Sequence, residues 1–188
     1  MATSYKVLGQ AASEVTTYEL VSFSRSSNYA TVAATEDVSF VLGDQVFVTL
    51  PDDTSFQGDY KVEQLLGPNI TYKNDGVNVN STNTTQAGSV TGFEWMTVYS
   101  CPGSTSAVTS TISITNTSNT SAYYSLACAE DNTANPLTRN MLVNRDIIQP
   151  NDTITFTAGI TLDSNVKHLM ASTNVDGLVV QAFGVEIS

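Results

Sequence analysis

A single histidine, His168, limits the acid–base and metal chemistry open to this chain. A zinc cluster with two imidazoles cannot form within one copy. A Ser-His-Asp set would have to take His168 as its base, and no Gly-x-Ser-x-Gly elbow exists to present the nucleophile. His168 stands between Lys167 and Leu169 in an expected strand. That placement favours a surface or interface residue; a metal site shared between symmetric copies is the sharper alternative.

The carboxylates are scattered. Asp52, Asp53 and Asp59 flank one expected hairpin, with Glu63 two residues beyond Lys61. A calcium loop wants a dense Asp-x-Asp-x-Asp-Gly array of converging oxygens, and Asp52-Asp53 lacks that alternation, so a solvated turn is expected. Glycoside hydrolysis needs two carboxylates across a cleft, and no aromatic cleft pattern accompanies these pairs. Gly43, Gly58, Gly67 and Gly76 are isolated turn glycines, not a phosphate loop. The inventory predicts no catalytic residues, no cofactor and no metal.

Aromatic residues and cysteines leave alternatives open. Trp95, Tyr99, Tyr123 and Tyr124 gather late in the chain, and Tyr18, Phe23 and Tyr29 gather early. They either fill a core or form an exposed strip for carbohydrate or subunit contact, since Tyr and Trp are enriched in interfaces. With His168, the four late aromatics are the candidate interface or surface-binding residues. Cys101 and Cys128 allow one disulfide or two free, partly buried thiols, and their spacing matches no metal motif. Asn-x-Ser/Thr triplets at Asn69, Asn80, Asn83, Asn116, Asn119 and Asn151 follow from a composition rich in those residues.

The elements that would position these groups read as β throughout. Of 188 residues only 13% are charged and 41% are apolar, and Thr, Ser and Asn replace the missing charge. Thr and Val favour pleated backbone, whereas Asn, Ser and Gly favour turns. The net charge of −11 opposes binding to DNA, RNA or an anionic membrane surface. No apolar run approaches the roughly 20 residues a membrane helix needs. Residues 1–10 lack a basic and apolar leader pattern, so the expectation is synthesis and assembly in a cytosol.

Three stretches differ in strand rhythm. The first holds a short strand at 4–10 and an alternating segment at 18–23. The second, residues 23–93, carries strands near 29–33, 45–50, 59–66 and 70–73, with turns at Gly43-Asp44, Asp52-Asp53-Thr54, Gly67-Pro68-Asn69 and Asn74-Asp75-Gly76. Residues 77–92 are Asn/Ser/Thr-rich and weakly patterned. Five or six short strands of this kind predict a small barrel or partly open roll. In the third stretch, residues 94–188, strands are expected near 94–100, 107–116, 122–129, 153–161, 165–173 and 177–187. Residues 107–116 alternate, with Val108, Ser110, Ile112 and Ile114 on one face. Residues 137–148 read either as two short strands or as a helical turn followed by a strand. Seven or eight strands at this spacing predict an antiparallel sandwich. The expected division is a discontinuous jelly-roll or Ig-like β-sandwich, 1–22 plus 94–188, with an inserted small β-domain at 23–93.

The sequence also resembles a known group. Met-Ala-Thr-Ser-Tyr-Lys-Val-Leu-Gly-Gln at 1–10, Val98-Tyr99-Ser100-Cys101-Pro102, Ser110–Asn116, Asn151–Ile154, Gly159–Leu162 and Ala182–Ile187 are similar, in this order, to segments of small virion structural proteins of tailed phages, especially those of cyanobacteria and marine bacteria. Ser24–Val32, Gly43–Val48, Phe56–Val62 and Ile70–Tyr72 resemble a second, small β-module of phage fibre, tail and baseplate proteins. The resemblance implies a non-enzymatic virion component, assembled in the host cytoplasm, whose partners are its own copies and other virion proteins. An accessory role at the tail, neck or fibre base is expected. Capsid decoration, or a host-surface or glycan contact carried by the insert, is the alternative. No catalytic residue is carried over.

Overall fold

The computed structural model describes residues 5–132, 136 and 138–187. Ser4 and Leu137, at the starts of two expected strands, lie outside them. Fourteen strands and two single 3-10 turns make up the described chain, which divides into two units, Met1–Glu14 with Glu94–Ser188 and Val15–Phe93. The all-β expectation holds in both.

The first unit is a sandwich of two four-stranded antiparallel sheets. One sheet orders β1 (Tyr5–Ala12), β14 (Leu178–Ile187), β9 (Ser106–Asn116) and β12 (Thr153–Leu162). The other orders β11 (Met141–Ile148), β10 (Ala122–Ala129), β13 (His168–Thr173) and β8 (Glu94–Ser100). Counting only sandwich strands, these orders are 1-8-3-6 and 5-4-7-2, the double Greek key of a jelly roll. Alternation drives it: Ile112, Ile114, Val180 and Ala182 from one sheet meet Tyr124, Leu126, Leu169 and Ala171 from the other in one buried cluster. Each of the Ile, Val and Leu side chains, fully buried, contributes about 1.5–3 kcal/mol. Asn116, fully buried at a corner, donates from Nδ2 to the carbonyls of Thr120 (2.8 Å) and Gln149 (3.1 Å) and accepts from the Ser118 N–H (3.0 Å).

The second unit is a closed antiparallel barrel, β2-β3-β6-β5-β4-β7. Its strands are β2 (Thr17–Ser26), β3 (Tyr29–Ala34), β4 (Gln45–Thr49), β5 (Gly58–Leu66), β6 (Asn69–Lys73) and β7 (Val79–Gly92). Val32, Val46, Val48, Ile70, Val62 and Val90 fill it, as their positions in the alternating runs require. Tyr72 stacks on Tyr60 (4.1 Å between centroids), and Phe23 meets Phe56 edge to face (5.1 Å).

Three sequence expectations change, and one open alternative is decided. The boundary expected at residue 22 falls between 14 and 15, because Tyr18, Leu20 and Phe23 point into the barrel and β2 pairs with β3 and β7. The weakly patterned 77–92 segment forms β7, at 14 residues the longest strand, whose exposed first half carries the Asn, Ser and Thr. For residues 138–148 the second alternative is the one found: a helical (3-10) turn, Thr138–Asn140, is followed by a single strand, β11. In β9 the alternation breaks: pairing with β14 skips Ser110, so Thr109 is buried while Val108 and Ser110 are only half-buried on the other face.

That irregularity rests on Gly184, opposite Thr109, where a Cβ would stand 2.0 Å from the Val108 carbonyl oxygen. Backbone cannot yield as a side-chain tip can. Gly184→Ala is expected to destabilise the sandwich by roughly 1–3 kcal/mol, read as a lower urea midpoint with the barrel's own transition unchanged.

Candidate functional site

Outward-facing residues of the barrel build a concave feature with a distinct chemistry. Ser24 and Ser26 of β2, Tyr29 and Thr31 of β3, Thr71 of β6, and Glu63 and Gln64 of β5 line an open groove of about 480 Å³. Antiparallel register places them together: Thr31 faces Thr71, with their hydroxyls 2.9 Å apart, and Thr71 faces Gln64. A bulge between Val62 and Gln64 leaves Glu63 as the extra residue, so two consecutive polar side chains turn outward on one strand. Re-aiming side chains is what bulges do. Tyr29 is 47% exposed and offers a ring at the rim. One phenol ring, four aliphatic hydroxyls, an amide and a carboxylate suit a neutral, hydroxyl-rich ligand. The lining holds no cationic side chain to attract an anion.

The sequence marked Tyr29 only as one early aromatic. The remaining lining residues are the polar members of alternating strands, which a linear pattern assigns to solvent. Only closure of the barrel makes them neighbours.

The barrel also buries a charge. Arg25, 3% exposed, donates from Nη2 to the Ser55 carbonyl (3.1 Å) and hydroxyl (2.7 Å) and from Nη1 to the Val77 carbonyl (3.3 Å). Its guanidinium lies 4.1 Å from the Phe56 ring centre, a cation–π contact. Gly76 packs on it so closely that a Cβ would stand 2.2 Å from Nη1. Asn74 donates to the Ser55 carbonyl (3.0 Å) and the Tyr60 hydroxyl (2.7 Å). The cluster ties the 3-10 turn Thr54–Phe56 across the barrel and serves structure.

The structure separates the five candidate residues singled out in the sequence. Tyr99 and Tyr124 belong to the sandwich core. Tyr99 donates to Glu186 Oε1 (2.9 Å), and Tyr124 to Asp146 Oδ2 (3.2 Å). Trp95 and Tyr123 are half-buried and do not pair with each other; Trp95 stands opposite Ser172 on β13. His168 Nδ1 lies 2.8 Å from the Ser100 hydroxyl. Among the described residues no group of three His, Cys, Asp or Glu could hold a metal.

The two carboxylates after β4 bond to backbone and hydroxyl groups of the barrel. Asp52 accepts from the N–H groups of Thr85 (2.9 Å) and Gln86 (3.1 Å) and from the Thr85 hydroxyl, and these bonds hold its carboxyl below the ordinary range. Asp53 caps the 3-10 turn through the Ser55 N–H (2.9 Å). Both cysteines are free thiols, which settles the alternative left open above: Cys101 is buried and donates to the Thr105 carbonyl (3.4 Å). Burial pushes the Cys128 thiol up to about 11.

The chain thus defines a class, an all-β protein of a jelly-roll sandwich and an inserted six-stranded barrel. Neither a protein-family model nor a curated protein sequence matches it.

Burial, and then the neighbouring Asp146 carboxylate, raise the Tyr124 hydroxyl from 10.0 to about 12. Burial likewise raises Tyr99, reinforced by Glu186. A raised native value contributes stability in full below the unfolded pKa of about 10 and loses it as pH rises towards the native value. The sandwich is therefore expected to weaken between about pH 10 and pH 12, with late-ionising tyrosines seen by absorbance at 295 nm. Tyr124→Phe should remove part of that alkaline loss.

Proposed function

We propose that this chain is a non-enzymatic structural protein of a tailed-phage virion, acting by assembly with its own copies and neighbouring virion proteins. The observation that carries the reading is the jelly-roll strand order, an architecture used by viral capsid and lectin domains. Fold analogy alone leaves function open, and a second observation adds to it. Most segments that resemble virion proteins converge on one sheet. Tyr5–Gln10 lies in β1, Ser110–Asn116 in β9, Gly159–Leu162 in β12 and Ala182–Ile187 in β14. The inserted barrel fits an accessory of the tail, neck or fibre base, with capsid decoration as the alternative station.

Assembly through packed contacts also suits the surface. The outward residues of β9 and β12 are largely hydroxyls, among them Ser113, Thr115, Thr153, Thr155 and Thr157. Uncharged hydroxyl surface is cheaper to desolvate than charge. Mass spectrometry of purified particles should find the protein in fixed stoichiometry, and light scattering should find the isolated chain oligomeric. Absence from particles, with a monomer at high concentration, would overturn the reading.

The barrel groove favours one second reading, contact with neutral host-surface glycan. Tyr29 would supply an apolar ring against a sugar face, and Glu63, Gln64 and Ser26 would bond its hydroxyls. On a glycan array the intact protein is expected to retain neutral oligosaccharides, with Tyr29→Ala weakening binding at least tenfold. Uniform lack of binding, or binding indifferent to Tyr29→Ala, would remove this reading.

A further inference from the structure

Strand β12 forms an outer edge of its sheet: it pairs with β9 on one side and with no strand on the other among the described residues. Edge strands invite pairing, and soluble proteins blunt them with charge, proline, bulges or short length. Three of the four sandwich edges are blunted. β1 carries Lys6 and runs so close to β8 that a Cβ on Gly9 would stand 2.0 Å from the Val98 carbonyl oxygen. β8 carries Glu94, and β11 carries Arg145, with positive φ, beside Asp146. β12 is ten residues long, Thr-Ile-Thr-Phe-Thr-Ala-Gly-Ile-Thr-Leu, with no charge and no proline. Its register is regular from Thr153 to Thr157 and shifts only beyond, before Ile160.

We infer that the β12 edge is the surface through which two copies of this chain join, pairing antiparallel about a two-fold axis at Thr155. The inference rests on the assembly reading above and names its contact. The residue types of 153–157 read the same in both directions, Thr-Ile-Thr-Phe-Thr with large apolar residues at both inner positions. A two-fold at Thr155 places Thr155 opposite its own equivalent, Ile154 opposite the partner's Phe156, and Thr153 opposite the partner's Thr157. Aromatic to β-branched and Thr–Thr pairs are favourable cross-strand neighbours. Within the chain, antiparallel strands are already joined by hydroxyl pairs at Thr17–Thr91, Thr31–Thr71 and Thr115–Thr153, each 2.9–3.0 Å apart.

Charge selects the occupant. Two copies, each with a net charge of −11, repel over most of their surfaces. A strand without charge is where identical chains approach at least cost, and its own sequence supplies the complementary face. Ile154 and Phe156, half-buried against the sandwich core, gain cover at the open edge. Pairing would fuse two four-stranded sheets into one of eight.

The test uses the full chain. Light scattering should give a dimer or a higher even-numbered oligomer. Thr155→Lys, an exposed position where two like charges would meet across the axis, should weaken association at least tenfold, with near-ultraviolet circular dichroism unchanged. Thr155→Cys should crosslink into a dimer under mild oxidation, whereas Thr161→Cys and the parent chain with its two native thiols should not. An oligomer that survives Thr155→Lys and fails to crosslink through Thr155→Cys overturns the β12 contact and leaves assembly standing. A parent chain that stays monomeric at high concentration overturns the β12 contact, and the assembly reading falls with it when the protein is also absent from purified particles.

Discussion

Pairing of β2 with β7 is the constraint on which the architecture depends. Thr17 faces Thr91 with their hydroxyls 2.9 Å apart, and the Gly92 N–H reaches the Thr16 carbonyl at 3.1 Å. That ladder does two things at once. It closes the barrel, removing its edges, and it brings the two ends of the insert side by side. With the ends adjacent, the chain can leave the sandwich after β1 and return at β8, although about 80 residues intervene. Insertions succeed where the connection opened is short in space, whatever its length in sequence.

With few charges available, amides, hydroxyls and backbone carbonyls carry the specificity that ion pairs supply elsewhere. Lys6–Glu186, at 2.6 Å, is a salt bridge, and it sits at the surface. The buried Arg25 is matched by carbonyls, a hydroxyl and a ring face. Asn116 plays the corresponding part in the sandwich, joining the turn after β9 to the end of β11. Each unit therefore has a buried polar knot that fixes how a connection crosses its strands. Such knots specify a unique arrangement because a slipped register would leave their donors unpaired.

Strand content was legible because alternation and turn chemistry agree. Gln45–Thr49 holds Val46 and Val48 inward, as its sequence states, and Asn151 takes the positive φ its turn requires. Phase was less legible. Bulges at Ser110 and Glu63 shift the inward set by one, and nothing in the order of residues marks an unpaired position. The domain boundary was misplaced for a related reason: Tyr18 and Leu20 alternate equally well as a sandwich strand or a barrel strand, and only their partners decide. The groove at Tyr29 was the least legible feature, since its residues come from four strands and none is unusual alone. Of the aromatics, the sequence could not tell Tyr99 and Tyr124, whose rings are buried, from Trp95 and Tyr123 at the half-buried margin.

The pairing of β1 with β14 joins Tyr5 to Val185, nearly the whole length of the chain. During synthesis β1 emerges well before its partner. At about 5–20 residues per second, translation separates them by roughly ten seconds or more. The barrel, whose contacts lie within residues 15–93, can close in that interval. The sandwich cannot be completed until β14 has been made. β14 thus serves as a timer: β1 has no partner in its sheet, and the sheet stays open between β1 and β9, until β14 arrives.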